Sequence, residues 1–313
     1  MQMNLVLDRH QETAMAPSET NISILDDILV VLVLYRRELA KTESFVSVSR
    51  SLEACGGRLT LFVYDNSPVP MFMDNCVHTN WTILYRHDPS NPGVSKAYNE
   101  GCKVAGSMGK KWLLLLDQDT EFPEKAVATY ASAIETYPGE KLFAPRLLAG
   151  GRIYSPCGYR TGFPWHLSTA APGMMPLAGR AFLNSGILIS LELYAACGGY
   201  NEQVGLDFAD FTFIRRLRHQ VASARLLDLD CFHGFADSQA ENLEQAALRF
   251  SRYCHDGRAS AETVTLRVSH ALVVLRRAVC LVVRYRDCCF LKTLVKEFLC
   301  SPSSGSLSRS GFE

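Results

Sequence analysis

The residues best suited to chemistry are two acids that end an apolar run. "KKWLLLLDQDT" (110–120) carries five apolar residues, Trp112 to Leu116, straight into Asp117 and Asp119. An ionised carboxylate taken from water is costly unless it is paired or bound to metal. Two residues apart on an extended chain, the two side chains project to the same side. Such a pair suits a hard divalent cation, which takes oxygen ligands and shares them with phosphate. The plainer alternative is two solvated loop acids at a helix start. A third acid, Asp65, ends another apolar run in "FVYDNS", and its plainer alternative is an ordinary turn. "NPGVSKAYNEGC" (91–102) supplies Gly93 for a tight turn and an opening helix whose Lys96 can reach an anion. No G-x-G-x-x-G follows the first strand and no G-x-x-x-x-G-K-[ST] occurs, which argues against a dinucleotide fold and a P-loop.

The elements that must position these groups alternate along the chain. The β-branched, apolar "DILVVLVLY" (27–35) reads as a strand buried on both faces. A helix over 43–57, a strand over 58–67, a short strand near 82–88 and a helix over 94–106 precede the acid-ended strand. That alternation predicts an α/β fold with a mostly parallel sheet covered on both faces. After residue 120 the pattern loosens. A helix is expected over 124–137, and 141–180, rich in Gly and Pro, reads as short strands within more loop than regular structure. Strand then helix follow over 181–202, helix over 209–220 and strand over 224–233. Residues 1–26 read as an extension, 27–238 as the main domain, 239–300 as helical and 301–313 as a disordered tail.

Composition narrows the class. The 313 residues suit one large domain with additions. The 32 Lys and Arg balance the 32 Asp and Glu, so net charge gives no reason to expect nucleic acid as a partner. The eleven cysteines include no C-x-x-C pair, which argues against a zinc knuckle and favours reduced thiols in a cytoplasmic setting. The first twenty residues lack an apolar run behind a basic start, so no secretory signal is expected. No uninterrupted apolar stretch reaches the roughly 18 residues of a membrane span.

The succession "VYDNS", "NPGVSKAYNEG", "LLLLDQDT", "LNSGILIS" and "GGYNEQVGLDFADFTFIRRLR" resembles the family 2 glycosyltransferases, nearest to the rhamnosyltransferases of bacterial surface polysaccharide synthesis. The match covers roughly residues 27 to 235. The resemblance implies the GT-A fold, Rossmann-like, with a nucleotide-sugar-binding half (27–120), an acceptor-binding half (121–238) and a C-terminal helical extension. It implies inverting transfer of a sugar from a dTDP- or UDP-linked donor to a glycan or lipid-linked glycan, in polysaccharide or lipopolysaccharide assembly. "DQD" stands where that family carries D-x-D, which gives Asp117 to the ribose side and Asp119 to Mg²⁺ or Mn²⁺ on the diphosphate. The metal would offset charge on the departing nucleoside diphosphate.

By the same resemblance Asp65, with Asn66, meets the base, and Tyr35, Gly93 and Lys96 line the donor side. Tyr35 and Arg36 replace the family's usual Thr-Tyr-Asn, a departure that leaves the base contacts there open. "DFAD" places Asp210 as general base with Asp207 before it, and Arg216 falls where the family has an arginine. The plainer role for Asp210 is a helix N-cap, worth roughly 1 kcal/mol. Asn184, Ser185 and Gly186 would line the cleft, with Gly186 letting backbone approach a sugar. Trp165, beside His166, would stack on the acceptor or else belong to the core. His233 would join the metal or diphosphate, or else be structural. Residues 264–300 hold seven Lys or Arg against two acids, a net charge of +5. These helices suit an anionic membrane surface on the cytoplasmic face, packing on the domain, or a homodimer. A non-catalytic nucleotide-sugar or glycan-binding relative is the competing function. A nucleotidyltransferase would need a Gly-rich, basic loop that "LVLYRRELA" lacks.

Overall fold

The structure, a computed structural model, describes residues 22–71, 79–234 and 242–300. The expected tail over 301–313 and the first 21 residues lie outside the described residues. Packing begins before residue 27: Ile22–Asp27 form a 3-10 turn whose Leu25 is buried against Gly57.

The first half alternates as its pattern predicts. It runs β1 (Ile28–Leu34), α1 (Glu43–Cys55), β2 (Leu59–Asp65), β3 (Trp81–His87), α2 (Val94–Ser107) and β4 (Trp112–Asp117). The four strands are parallel in the order β4-β1-β2-β3. Every residue of β1 is buried, as a parallel strand with helices on both faces requires. Leu29, Val31 and Val33 join the core under α2, whereas Ile28, Val30, Leu32 and Leu34 join the core under α1. Each such side chain contributes roughly 1.5–3 kcal/mol by leaving water.

The second half contains β5 (Thr120–Glu121), α3 (Ala126–Thr136) and β6 (Leu142–Ala149). β6 opens the Gly- and Pro-rich stretch 141–180, and the rest of that stretch holds short strands, as expected, in more regular structure than loop. It forms β7 (Arg152–Ser155), β8 (Cys157–Arg160), β9 (Phe163–His166) and β10 (Gly173–Pro176). Strands of four residues are too short for alternation to stand out. Then come β11 (Arg180–Ala181), β12 (Leu188–Ser190), α4 (Leu191–Ala196), α5 (Ala209–Leu217) and β13 (Ser223–His233).

The large sheet, in the order β10-β13-β6-β12-β4-β1-β2-β3, is mixed rather than mostly parallel. Its reversal is β12, antiparallel to both β4 and β6. The chain enters β12 beside the acid end of β4, where Gly186 N–H donates to Leu115 O at 2.7 Å, and runs back down the sheet. A small sheet, β11-β8-β9, lies apart. Helices α6 (Leu243–Ala259), α7 (Val264–Tyr285) and α8 (Cys289–Thr293) extend the core on the α2 side through Phe250, Tyr253, Val274, Ala278 and Phe290.

From β1 the chain proceeds to β2 on one side and later to β4 on the other. Ligands of open α/β sheets bind beyond the carboxyl ends of strands at such a reversal of strand order. The registers Val33–Asp117 and Leu34–Asp65 bring the ends of β4, β1 and β2 level there.

Helix α1 braces the acid-bearing turn with buried serines at helical spacing. The Ser44 hydroxyl lies against the carbonyls of Asp117 and Thr120 and accepts from Thr120 N–H at 3.1 Å. Ser47 and Ser51 accept from Phe122 and Val127 N–H at 3.0 and 2.9 Å. Replacing Ser44 with Ala strands these buried backbone groups, so urea unfolding should show a loss of about 1–3 kcal/mol. A change below about 0.5 kcal/mol would rule out that brace.

Candidate active site

Four carboxylates gather beyond the strand ends. Asp117 ends β4, and its Oδ1 accepts from the buried Tyr98 hydroxyl at 2.7 Å. Tyr98 sits on α2, inside the stretch that suggested an anion site, but its role as a hydrogen-bond partner for Asp117 was not legible there. Burial pushes the Asp117 carboxyl up, against the Tyr98 hydrogen bond and nearby His233, which lower it. Burial likewise raises Asp119, to about 6; His233 opposes this and the Asp117 charge adds to it.

Backbone pairing brings His233 to this turn from 114 positions away. In the β5–β13 ladder His233 faces Thr120, and its Nδ1 lies 2.8 Å from Thr120 Oγ1 and 3.6 Å from Asp119 Oδ1. Gly234 N–H donates to Asp119 O at 2.8 Å. Gln118, between the acids, reaches the other way. Its side chain accepts from Tyr35 N–H at 2.9 Å and donates to Tyr35 O at 3.3 Å. The half-exposed Tyr35 is thereby fixed at the end of β1.

Asp210 belongs to the same network. The N-cap of α5 is Phe208, with φ +67°, and no side chain caps the helix. Asp210 is therefore not the cap; its Oδ1 accepts from Asn184 N–H at 3.1 Å, across the site. Asn184 Oδ1 accepts from the Tyr200 hydroxyl at 2.6 Å, and the next residue, Ser185, accepts from Asp117 N–H at 3.2 Å. The turn 184–186 thus ties the base candidate to the strand-end acid. Burial, then the Asp117 charge, hold Asp210 well above the usual carboxylate range, although Asn184 N–H lowers it.

Asp207 is three residues earlier, across the left-handed Phe208. Left-handed backbone is uncommon for a bulky residue and tends to occur where packing enforces it. Here the Phe208 ring packs on Tyr253 and His270, with centroids 5.0 and 4.8 Å away. Asp207 Oδ2 is buried without a hydrogen-bond partner, and Arg277 Nη1 lies 3.9 Å from Oδ1. Burial raises Asp207 and Arg277 opposes it.

The remaining expected residues take varied places. Asp65 is fully buried and accepts from Ser67 N–H, Met71 N–H and the Tyr85 hydroxyl at 2.9, 2.8 and 2.6 Å, bracing the loop after β2. Asn66 is buried with its Oδ1 unpartnered. Gly93 has φ +97°, and a Cβ there would lie 2.1 Å from Gly205 O. Its close neighbour in the structure is thus the 204–206 loop. Asp256 of α6 holds that loop from behind, accepting from Gly205 and Leu206 N–H at 3.2 and 2.9 Å. Nothing in the sequence singled out Asp256. Lys96 pairs with Glu100 and Glu202, each at 3.2 Å.

Gly186 backs onto Pro145, whose Cγ would be 2.5 Å from an added Cβ. Arg216 donates to Gly198 O and Gly199 O at 3.3 and 2.9 Å. Trp165 is 49% exposed on β9 with its ring over Gly158, so it is not a core residue. His166 Nδ1 lies 3.0 Å from Ile153 O. Among the described residues no three His, Cys, Asp or Glu side chains converge as a complete metal-ligand set.

No family model and no curated protein matches the chain. Among solved structures it is similar to GalNAc-T7 crystallised with UDP, GalNAc and Mn²⁺, at 12% identity and TM-score 0.46 over 66% of this chain and 43% of that one. It is also similar to S. aureus TarS, at 11% identity and TM-score 0.48, over 87% of this chain and 54% of that one. For the TarS 1–349 segment the values are 12%, 0.45, 87% and 88%. The chain thus spans less than half of the GalNAc-T7 chain and about half of the longer TarS chain. At this distance the chemistry has to be read from the chain's own residues.

A carboxyl raised in the folded state binds its proton there more tightly than when unfolded, so its ionisation weakens the fold as pH rises. For Asp119 the change falls between the unfolded value near 4 and about 6. In a chelator without divalent cation, Asp119→Asn should raise Tm at pH 7.5, and the gain should shrink as pH falls through 6. A gain that is equal at pH 4.5 and 7.5 would contradict a buried, ionising Asp119.

Proposed function

We propose that the protein is an inverting glycosyltransferase. It moves a sugar, rhamnose or another hexose, from a dTDP- or UDP-linked donor to a glycan or lipid-linked glycan. The observation that carries this reading is the position of Asp210. Its carboxylate caps no helix; it faces Asn184 in the network that holds Asp117 at the strand end.

In the proposed reaction the acceptor hydroxyl oxygen forms a bond to the anomeric carbon of the donor. The bond from that carbon to the diphosphate oxygen breaks, and the electron pair leaves with the nucleoside diphosphate. Attack opposite the leaving group inverts the centre. The hydroxyl proton passes to Asp210, because a sugar hydroxyl is too weak an acid to ionise alone. A carboxylate held above its usual range is the stronger base for that step. Asn184 N–H orients it, and the Tyr200 hydroxyl orients Asn184. Asp207 and Arg277 support the turn on which the base stands.

The donor set suits a divalent cation shared with substrate. Carboxylate oxygens of Asp119 and Asp117 match Mg²⁺ or Mn²⁺, and His233 Nδ1 lies 3.6 Å from Asp119 Oδ1. With no complete protein set among the described residues, Asp119, with His233 beside it, would hold the ion jointly with the bound donor. Mutual repulsion between Asp117 and Asp119 is what a cation there would relieve. When bound it would neutralise charge on the departing diphosphate. Asp117, fixed by Tyr98, would meet the ribose.

The test follows nucleoside diphosphate release from dTDP- and UDP-sugars with Mg²⁺ or Mn²⁺ and glycan acceptors. Asp210→Asn should lower transfer by about 10²–10⁴-fold while donor affinity stays within about twofold. Unchanged transfer would remove Asp210 from the base role. Donor binding with no transfer by the native protein would establish the binding-protein alternative.

A further inference from the structure

Helix α7 is apolar on two faces, and the fold uses one of them. Its inner face is committed: Val274 and Ala278 are fully buried, and His270 Nδ1 lies 2.9 Å from Gly257 O. Arg277 turns inward over the Tyr253 ring at 4.2 Å and towards Asp207. The outer face carries Val264, Val268, Leu272, Leu275, Val279 and Val283, which are 41–76% exposed. At about 100° per residue these six fall within one arc of roughly 100°, along a line close to 30 Å long.

Arginines flank the stripe. Arg267 lies beyond one edge, Arg276 beyond the other and Arg284 further round, all exposed. Exposed Arg286, Lys292 and Lys296 continue the positive charge beyond the helix, as Leu291 and Val295 continue the apolar surface. Between Val264 and Lys296 the sole acid is Asp287, which is partly buried and accepts from Cys289 N–H at 2.7 Å. Among the described residues no helix is long and apolar enough to cross a membrane.

We propose that the outer face of α7 docks on an anionic lipid surface, lying parallel to it. The aliphatic stripe enters the headgroup boundary while the flanking arginines meet lipid phosphates and carboxylates, the arrangement of an interfacial amphipathic helix. Charge selects this occupant. A second copy docked by the same face would set arginine against arginine, and the exposed acid beside the start of the stripe, Glu262, already faces Arg215 at 3.6 Å. Nucleic acid would meet the arginines and leave the six aliphatic side chains in water. The inner face of the same helix carries Arg277 to Asp207, so the docked surface and the candidate site share one rigid element. This inference does not depend on sugar transfer.

The experiment is co-sedimentation of the full chain with vesicles of equimolar phosphatidylserine and phosphatidylcholine, against phosphatidylcholine alone. Binding to the anionic vesicles, weakened by salt, is expected, with little to the neutral ones. Each basic residue near the surface is worth about fivefold, so Arg267→Gln with Arg276→Gln should weaken binding about 25-fold. Leu272→Ser with Val279→Ser should also release the protein. All four positions are exposed, so Tm should stay unchanged and separate lost docking from lost folding. No sedimentation with anionic vesicles would overturn the proposal, as would wild-type binding by both double variants. A dimer in sedimentation velocity that Leu272→Ser with Val279→Ser splits into monomers would assign the stripe to a second copy instead.

Discussion

The cost of withdrawing carboxylates from water governs this end of the molecule. Asp117, Asp119, Asp207 and Asp210 are all raised, and burial is the largest cause in each. A site of this kind persists only where the surrounding fold holds the groups in place. The supports are visible on every side. Tyr98 donates to Asp117, Asn184 N–H to Asp210, and His233 stands beside Asp119. Ser44 grips the carbonyls on both sides of the acid turn. Raised carboxylates are destabilising when ionised and useful as bases or cation ligands, which is why perturbed groups cluster at functional sites.

Helices that follow the sheet in sequence take part in that support. Asp256 of α6 accepts two backbone N–H groups of the 204–206 loop, on which the start of α2 rests. Tyr253 and His270 hold the ring of Phe208 and with it the left-handed turn between Asp207 and Asp210. Arg277 moderates Asp207. The C-terminal helices are thus a wall of the site as well as the bearer of an outward apolar stripe. The same helix, α7, carries both that stripe and Arg277, which faces Asp207.

Periodicity carried much of the fold, and it failed where elements are short. The alternation through β4 was legible because those strands are buried on both faces and the helices between them are amphipathic. Residues 141–180 read as short strands in more loop than regular structure; the eight-residue β6 and four strands of four residues are there, and the shortest leave little periodic trace. The sheet was expected to be mostly parallel, yet β12 reverses it. Three residues, Leu188 to Ser190, carry no mark of direction, and only their pairing with β4 and β6 sets it.

For the site, the sequence by itself determined which carboxylates stand at element ends: Asp65, Asp117 and Asp119 after apolar runs, Asp207 and Asp210 around the start of α5. Residue type and local spacing are enough for that. Only the tertiary structure decided their company. Asp65 became an internal brace, Gly93 and Gly186 proved to be close-packing positions against Gly205 and Pro145, and Trp165 came to the surface. Tyr98, Gln118 and Asp256 acquired roles that no spacing announced. Hydrogen bonds across the site join residues as much as 115 positions apart, and the pairing of β5 with β13 that creates such contacts is set by packing of the whole sheet. Local pattern places a charged group at an edge; what desolvates it, and what answers its charge, is fixed only when the rest of the chain arrives.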